Sequence, residues 1–79
     1  MRIDKFLKVA RVIKRRTVAN EAADGGRVSV NGRQVKASYD VKVGDVVEIA
    51  FANGPVKFRV KSITETVKKA DAQEMYELL

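Results

Sequence analysis

At Gly25-Gly26 the spacing of apolar residues changes from helical to alternating, and that switch limits the chain to a fold of helices first and sheet afterwards. Before it, Ile3, Phe6, Leu7, Ala10 and Ile13 recur at three- and four-residue steps, which places them on one stripe of a helix. Asp4 suits the start of that helix, as its N-cap or as a first-turn acid. Arg2, Lys5, Lys8, Arg11 and Lys14 also recur at steps of three, and each step drifts about 60° around an ideal helix. One straight helix cannot hold them in a row. A break near Val12 to Arg16 resolves this, with a second helix capped by Thr17, running Val18 to Asp24 and ended by Gly25-Gly26.

After the glycines the period is two. Arg27 to Val30 and Arg33 to Lys36 flank Asn31-Gly32, a pair suited to the positive φ angles of a tight hairpin. Gly44-Asp45 marks a second turn before a strand over Val46 to Phe51. Asn53-Gly54-Pro55 leads into Val56 to Lys61, where Val56, Phe58 and Val60 alternate with Lys57, Arg59 and Lys61. An exposed row of this kind suits the protection of a sheet edge. From about Val67 to Leu79 the composition is helical, with Val67, Ala70, Met75 and Leu78 near helical spacing. The expected architecture is α+β: two short N-terminal helices packed on a small twisted antiparallel sheet, with a C-terminal helix or tail.

Seventy-nine residues make one small domain with a thin core. The chain has no cysteine and no histidine, so a disulfide framework, a thiolate metal site and the commonest general base are absent. No apolar run approaches the roughly 20 residues of a membrane span, and the start Met1 to Phe6 lacks the apolar core of a signal peptide. The expected location is the cytoplasm. Asp40, Asp45 and Glu48 fall near turns and strand ends, where they serve turns and solvation, and no phosphate-binding glycine loop occurs. Neither a catalytic centre nor a cofactor or metal site is expected.

The net charge of +6 resides in the first twenty residues. Arg2, Lys5, Lys8, Arg11, Lys14, Arg15 and Arg16 stand there against Asp4 alone, while residues 21–79 are neutral. A neutral body with one cationic element is the footprint of a surface that docks on a polyanion. Lys14-Arg15-Arg16 lies at the junction between the helices, where a phosphate would be held. Arg2 and Asp4 could form a local exposed ion pair. Tyr39 and Tyr76 could stack on unpaired bases, whereas Phe6, Phe51 and Phe58 suit packing.

The ordered set Arg2-Ile3-Asp4-Lys5-Phe6-Leu7, Arg11, Arg15-Arg16-Thr17, Ala19, Gly26-Arg27-Val28-Ser29-Val30-Asn31-Gly32 and Gly44-Asp45 resembles the S-four RNA-binding domain, the alpha-L motif. The resemblance covers about residues 1–50, with 51–79 a family-specific extension of the same domain. Among stand-alone members, the run from Asp4 to Thr17 and the segment from Lys68-Lys69-Ala70 to Met75-Tyr76 resemble the RqcP, or YabO, family. Many members of the broader domain carry Ser-Arg where this chain has Arg15-Arg16. The resemblance implies binding to large ribosomal subunits obstructed by peptidyl-tRNA, with contacts to rRNA and tRNA. It also implies work beside RqcH during alanine tailing in ribosome-associated quality control. Carried over by position, Arg2, Asp4 and Arg16 lead the RNA-binding set, supported by Lys5, Lys8, Arg11, Lys14 and Arg15. A monomer off the ribosome is expected. Four alternatives stand beside it. These are a heat-shock-type S-four protein, whose branch usually has a longer basic C-terminal tail, and a basic amphipathic membrane or partner anchor that uses Phe6, Leu7 and Ile13. The others are a DNA-binding module and an accessory domain of an enzyme such as a pseudouridine synthase.

Overall fold

The apolar stripe at the N-terminus folds as the spacing predicts, into helix α1 (Ile3–Val9), followed by α2 (Arg16–Asp24). The computed structural model describes residues 1–64 and 69–79. Ile3, Phe6, Leu7, Ala10 and Ile13 are all buried, as are Ala19, Ala22 and Ala23 of α2. Both helices begin earlier than expected. The carbonyl of Arg2 accepts from the Phe6 N–H at 3.0 Å and that of Arg15 from Ala19 at 3.1 Å, so Arg2 and Arg15 are the N-caps. Neither makes a side-chain capping bond. Thr17 therefore lies inside α2 and not at its cap. Asp4 is the first-turn acid of the two roles open to it.

The two helices end in the same hydrogen-bonding device. After α2, the Gly26 N–H donates to the Ala23 carbonyl at 3.1 Å and the Arg27 N–H to that of Ala22 at 2.9 Å, with Gly26 at φ +82°. After α1, the Arg11 N–H donates to Lys8 at 3.1 Å and the Val12 N–H to Leu7 at 3.0 Å, with Arg11 at φ +60°. Both are Schellman turns, which need a left-handed residue just beyond the helix. The break between helices thus starts at Ala10-Arg11, ahead of the predicted Val12.

Five strands follow: β1 (Val28–Val30), β2 (Arg33–Gln34), β3 (Val46–Phe51), β4 (Gly54–Val60) and β5 (Tyr76–Leu78). They form one antiparallel sheet in the order β2-β1-β3-β4-β5. The register sets Val30 opposite Val47 and Val47 opposite Phe58, so one face carries Val28, Val30, Val47, Ile49, Phe58 and Val60, all buried. The helices cover that face. Phe6 of α1 stacks on Phe58 of β4 with ring centroids 6.2 Å apart, and Tyr76 tilts against Phe58 at 5.2 Å. This gives Tyr76 a packing role. Phe51 is half-buried against the same core.

The C-terminal helix is present but shorter than expected, a 3-10 helix over Lys69–Met75. At Tyr76 the chain leaves it to pair with β4, Val60 facing Tyr76 and Phe58 facing Leu78. Without β5, the N–H and C=O groups along that side of β4 would lack partners. Strand pairing thus overrides the helical spacing, and Leu78, expected on the helix stripe, is 67% exposed. Val67 and the side chain of Ala70 lie outside the described residues.

Asn31 and Gly32 take φ +52° and +84°, the two left-handed positions of a type I′ hairpin. The Asn31 amide is anchored across the sheet. Its Nδ2 donates to Asp45 at 3.1 Å and its Oδ1 accepts from the Val46 N–H at 3.0 Å. A Cβ on Gly32 would meet nothing within 4 Å, so the glycine is required for its backbone angle alone. Gly32→Ala should therefore destabilise the fold by about 1–2 kcal/mol without repacking, read as a fall in Tm of roughly 4–8 °C per kcal/mol.

Candidate nucleic-acid interface

Within the first twenty residues the structure buries the single acid. Asp4 is 2% exposed, on the side of α1 that meets α2. Its Oδ1 accepts the Lys5 backbone N–H at 2.7 Å. Arg2 reaches it in a fork, Nε to Oδ1 and Nη2 to Oδ2, both at 3.2 Å. From α2, Asn20 donates Nδ2 to Oδ2 at 3.2 Å and Arg16 brings a guanidinium nitrogen within 3.5 Å of Oδ1. The sequence suggested an exposed Arg2–Asp4 pair. Only the arginines are exposed, at 49% and 47%, because α2 closes over the carboxylate.

Burial opposes ionisation of Asp4. The hydrogen bonds from Asn20, Arg2 and the Lys5 N–H, together with the charge of Arg16, outweigh it and hold the pKa below the ordinary 3.8. Around this carboxylate lies an open concavity of about 450 Å³, lined by Arg2, Asp4, Arg16, Thr17, Asn20 and Glu21. Positions four apart share a helix face, so Lys8 lies one turn beyond Asp4 on α1, and Arg16 and Asn20 share a face of α2.

The backbone before α1 is clamped, which fixes Arg2. The Ile3 N–H donates to the Tyr39 carbonyl at 2.8 Å, Val41 donates to Met1 at 2.9 Å, and Arg2 forms an isolated bridge with Asp40. The Met1 amine meets the Asp40 carboxylate at 2.7 Å and Lys42 meets it at 3.0 Å, and both hold the Asp40 pKa down. Asp45 secures the neighbouring turn by accepting the Lys42 N–H at 2.9 Å.

Of the eight residues expected from sequence, three converge: Arg2, Asp4 and Arg16. Lys8, Arg11, Lys14 and Arg15 are exposed, and Lys5 is half-buried. The side chains of Lys8, Arg11, Lys14 and Arg15 have no hydrogen bond or ion pair among the described residues. Asn20 was missed. Its only signal was its place four residues after Arg16 on a helix otherwise rich in alanine, and any solvated polar residue gives that signal.

The conformation of Arg11 is unfavourable. A left-handed L-residue costs about 1–2 kcal/mol, and a cation at a helix C-terminus returns only about 0.3–1 kcal/mol. Local energetics therefore favour glycine at that position.

The basic row on β4 does not guard an edge, because β4 lies between β3 and β5. Glu48 faces Lys57 and Glu77 faces Arg59 across the strands, which offsets their charge. Phe6, Leu7 and Ile13 are buried, which removes the apolar face that a membrane anchor needs. Among the described residues no helix is long and apolar enough to cross a membrane, and no group of three or more Asp, Glu, His or Cys could hold a metal ion.

Residues 1–47 match the family model of the S4 domain. Over all 79 residues the chain is 53% identical to the RQC P-site tRNA stabilizing factor of Bacillus subtilis, covering 92% of that protein. It is also 53% identical to the factor of the same name from Streptococcus pneumoniae, covering 90%. The whole fold aligns with the trimeric structure of Vibrio cholerae heat shock protein 15 at a TM-score of 0.92 and 28% identity, covering 81% of that chain.

Asp4→Asn keeps the shape of the site but leaves Arg2 and Arg16 without their shared anion. A loss of about 2 kcal/mol in urea unfolding at pH 7 is expected. The native pKa is depressed, so the carboxylate's contribution is full above 3.8 and disappears as pH falls through the lower native value. The native chain should lose this increment only below about pH 4, and the asparagine variant should show no such step.

Proposed function

This chain belongs to the S4 domain family, and we propose that it is a non-enzymatic RNA-binding protein of the RqcP type. It binds large ribosomal subunits obstructed by peptidyl-tRNA, touches both rRNA and tRNA, and supports RqcH-dependent alanine tailing in ribosome-associated quality control. It works in the cytoplasm and is a monomer off the ribosome. Support for these partners comes from two relatives, each 53% identical over the whole chain and named for stabilising a P-site tRNA.

The observation that carries the reading is the shared anchoring of Arg2 and Arg16 on the buried Asp4. Two half-exposed guanidinium groups that line one concavity and share one anion are preorganised for phosphate, and little side-chain freedom remains to be lost on binding. Lys5, Lys8, Arg11, Lys14 and Arg15 extend the cationic surface around them. The sheet supports α1 through the stacking of Phe6 on Phe58. The protein bridges RNA surfaces and raises the occupancy of one tRNA position, making and breaking no bond.

The heat-shock-type reading draws on the fold match to the Vibrio cholerae protein. The higher identity to the tRNA-stabilizing factors favours the first reading.

Arg16→Ala should leave Tm within a few degrees and lower co-sedimentation with peptidyl-tRNA-bearing large subunits about tenfold, the size of one charge-assisted contact. Unchanged co-sedimentation would overturn the assignment, as would equal competition by duplex DNA at matched salt. Asp4→Asn should also weaken binding although it raises the net charge, because order and not charge alone sets the affinity. With about five to seven phosphates engaged, log Kd should vary with log salt at about 0.7–0.9 per contact.

A further inference from the structure

One chain ends two neighbouring helices with the same turn and fills the critical position differently. After α2 the left-handed residue is Gly26 at φ +82°, and after α1 it is Arg11 at φ +60°. Glycine suits both turns. The arginine has no evident structural use there. It is exposed, its guanidinium has no hydrogen bond or ion pair among the described residues, and its attraction to the helix dipole is smaller than the backbone cost.

We infer that Arg11 occupies a glycine position because its guanidinium holds an RNA phosphate, so that affinity is gained at the turn between the helices at the expense of stability. The inference rests on the RNA-binding reading above and adds to it that Arg11, one of its supporting residues, is held at a cost to the fold. The neighbouring charges favour a phosphate. The Arg11 N–H is bonded to the carbonyl of Lys8, an exposed cation on the face of Asp4, and Lys14 is exposed three residues further along. A planar, exposed donor fork on a segment that also carries two exposed lysines suits a phosphate oxygen pair and not an apolar or cationic group.

The test uses the full chain with Arg11→Gly, Arg11→Asn and Arg11→Lys, purified bacterial large ribosomal subunits as probe, and Arg16→Ala alongside. Arg11→Gly should keep or raise Tm, by about 4 °C, while affinity falls about three- to tenfold near 0.1 M salt. Its log–log salt dependence should be shallower by about 0.7–0.9, a change that a structural residue would not produce. Arg11→Asn tolerates the left-handed backbone without the chain entropy of glycine and should bind as weakly. Arg11→Lys should retain the native salt slope. Unchanged affinity and slope in the glycine and asparagine variants would overturn the inference, and so would a fall in Tm in both. If Arg16→Ala weakens binding while Arg11→Gly does not, only this inference fails. If neither variant affects binding, the RNA reading itself fails.

Discussion

The buried carboxylate of Asp4 is the point on which the arrangement of the two helices and the cationic surface both depend. A lone acid among seven bases would ordinarily be a minor surface feature. Here it is enclosed between α1 and α2, and its remaining acceptor sites draw Asn20 and Arg16 of α2 toward Arg2 at the start of α1. A buried anion must be satisfied or it unfolds the site, so this requirement constrains how the helices cross. It also sets two arginines side by side, where mutual repulsion would otherwise separate them.

Apolar packing provides the platform. Phe58 touches Phe6 on one side and Tyr76 on the other, so α1, the middle of the sheet and the last strand meet at one side chain. With the apolar stripe of α1 fully occupied there, its opposite face is left to solvent. The basic row on β4, by contrast, faces acids across both neighbouring strands. The cationic surface therefore stays at the helical end of the molecule.

Much of this was legible along the chain. The step from helical to alternating spacing at Gly25-Gly26, the Asn31-Gly32 hairpin and the strand over Val46–Phe51 follow from local rules, because positive φ at a turn and alternation on a half-buried strand leave direct marks in residue type. The helix starts are less legible: Arg2 and Arg15 act as caps through their backbone carbonyls alone, and a capping residue that uses no side chain has no compositional signature. The helical spacing of the C-terminal segment predicts a helix through Leu79. Pairing with β4 is a non-local demand that no window of sequence contains.

For the candidate site the division is sharper. Sequence by itself determined that seven bases crowd the first twenty residues, that their threefold spacing cannot stay in line on one helix, and that the residues from Arg2 to Asp45 follow the S4 domain pattern. Those are properties of order and charge. Only the tertiary structure decided that Asp4 is buried, that Asn20 joins it, and that Arg2 and Arg16, fourteen residues apart, share one anion, while Arg11 takes a glycine's backbone with its guanidinium unpaired among the described residues. The physical reason is that burial and ion pairing depend on what a second helix brings across space, and that approach is set by the common core beneath both helices.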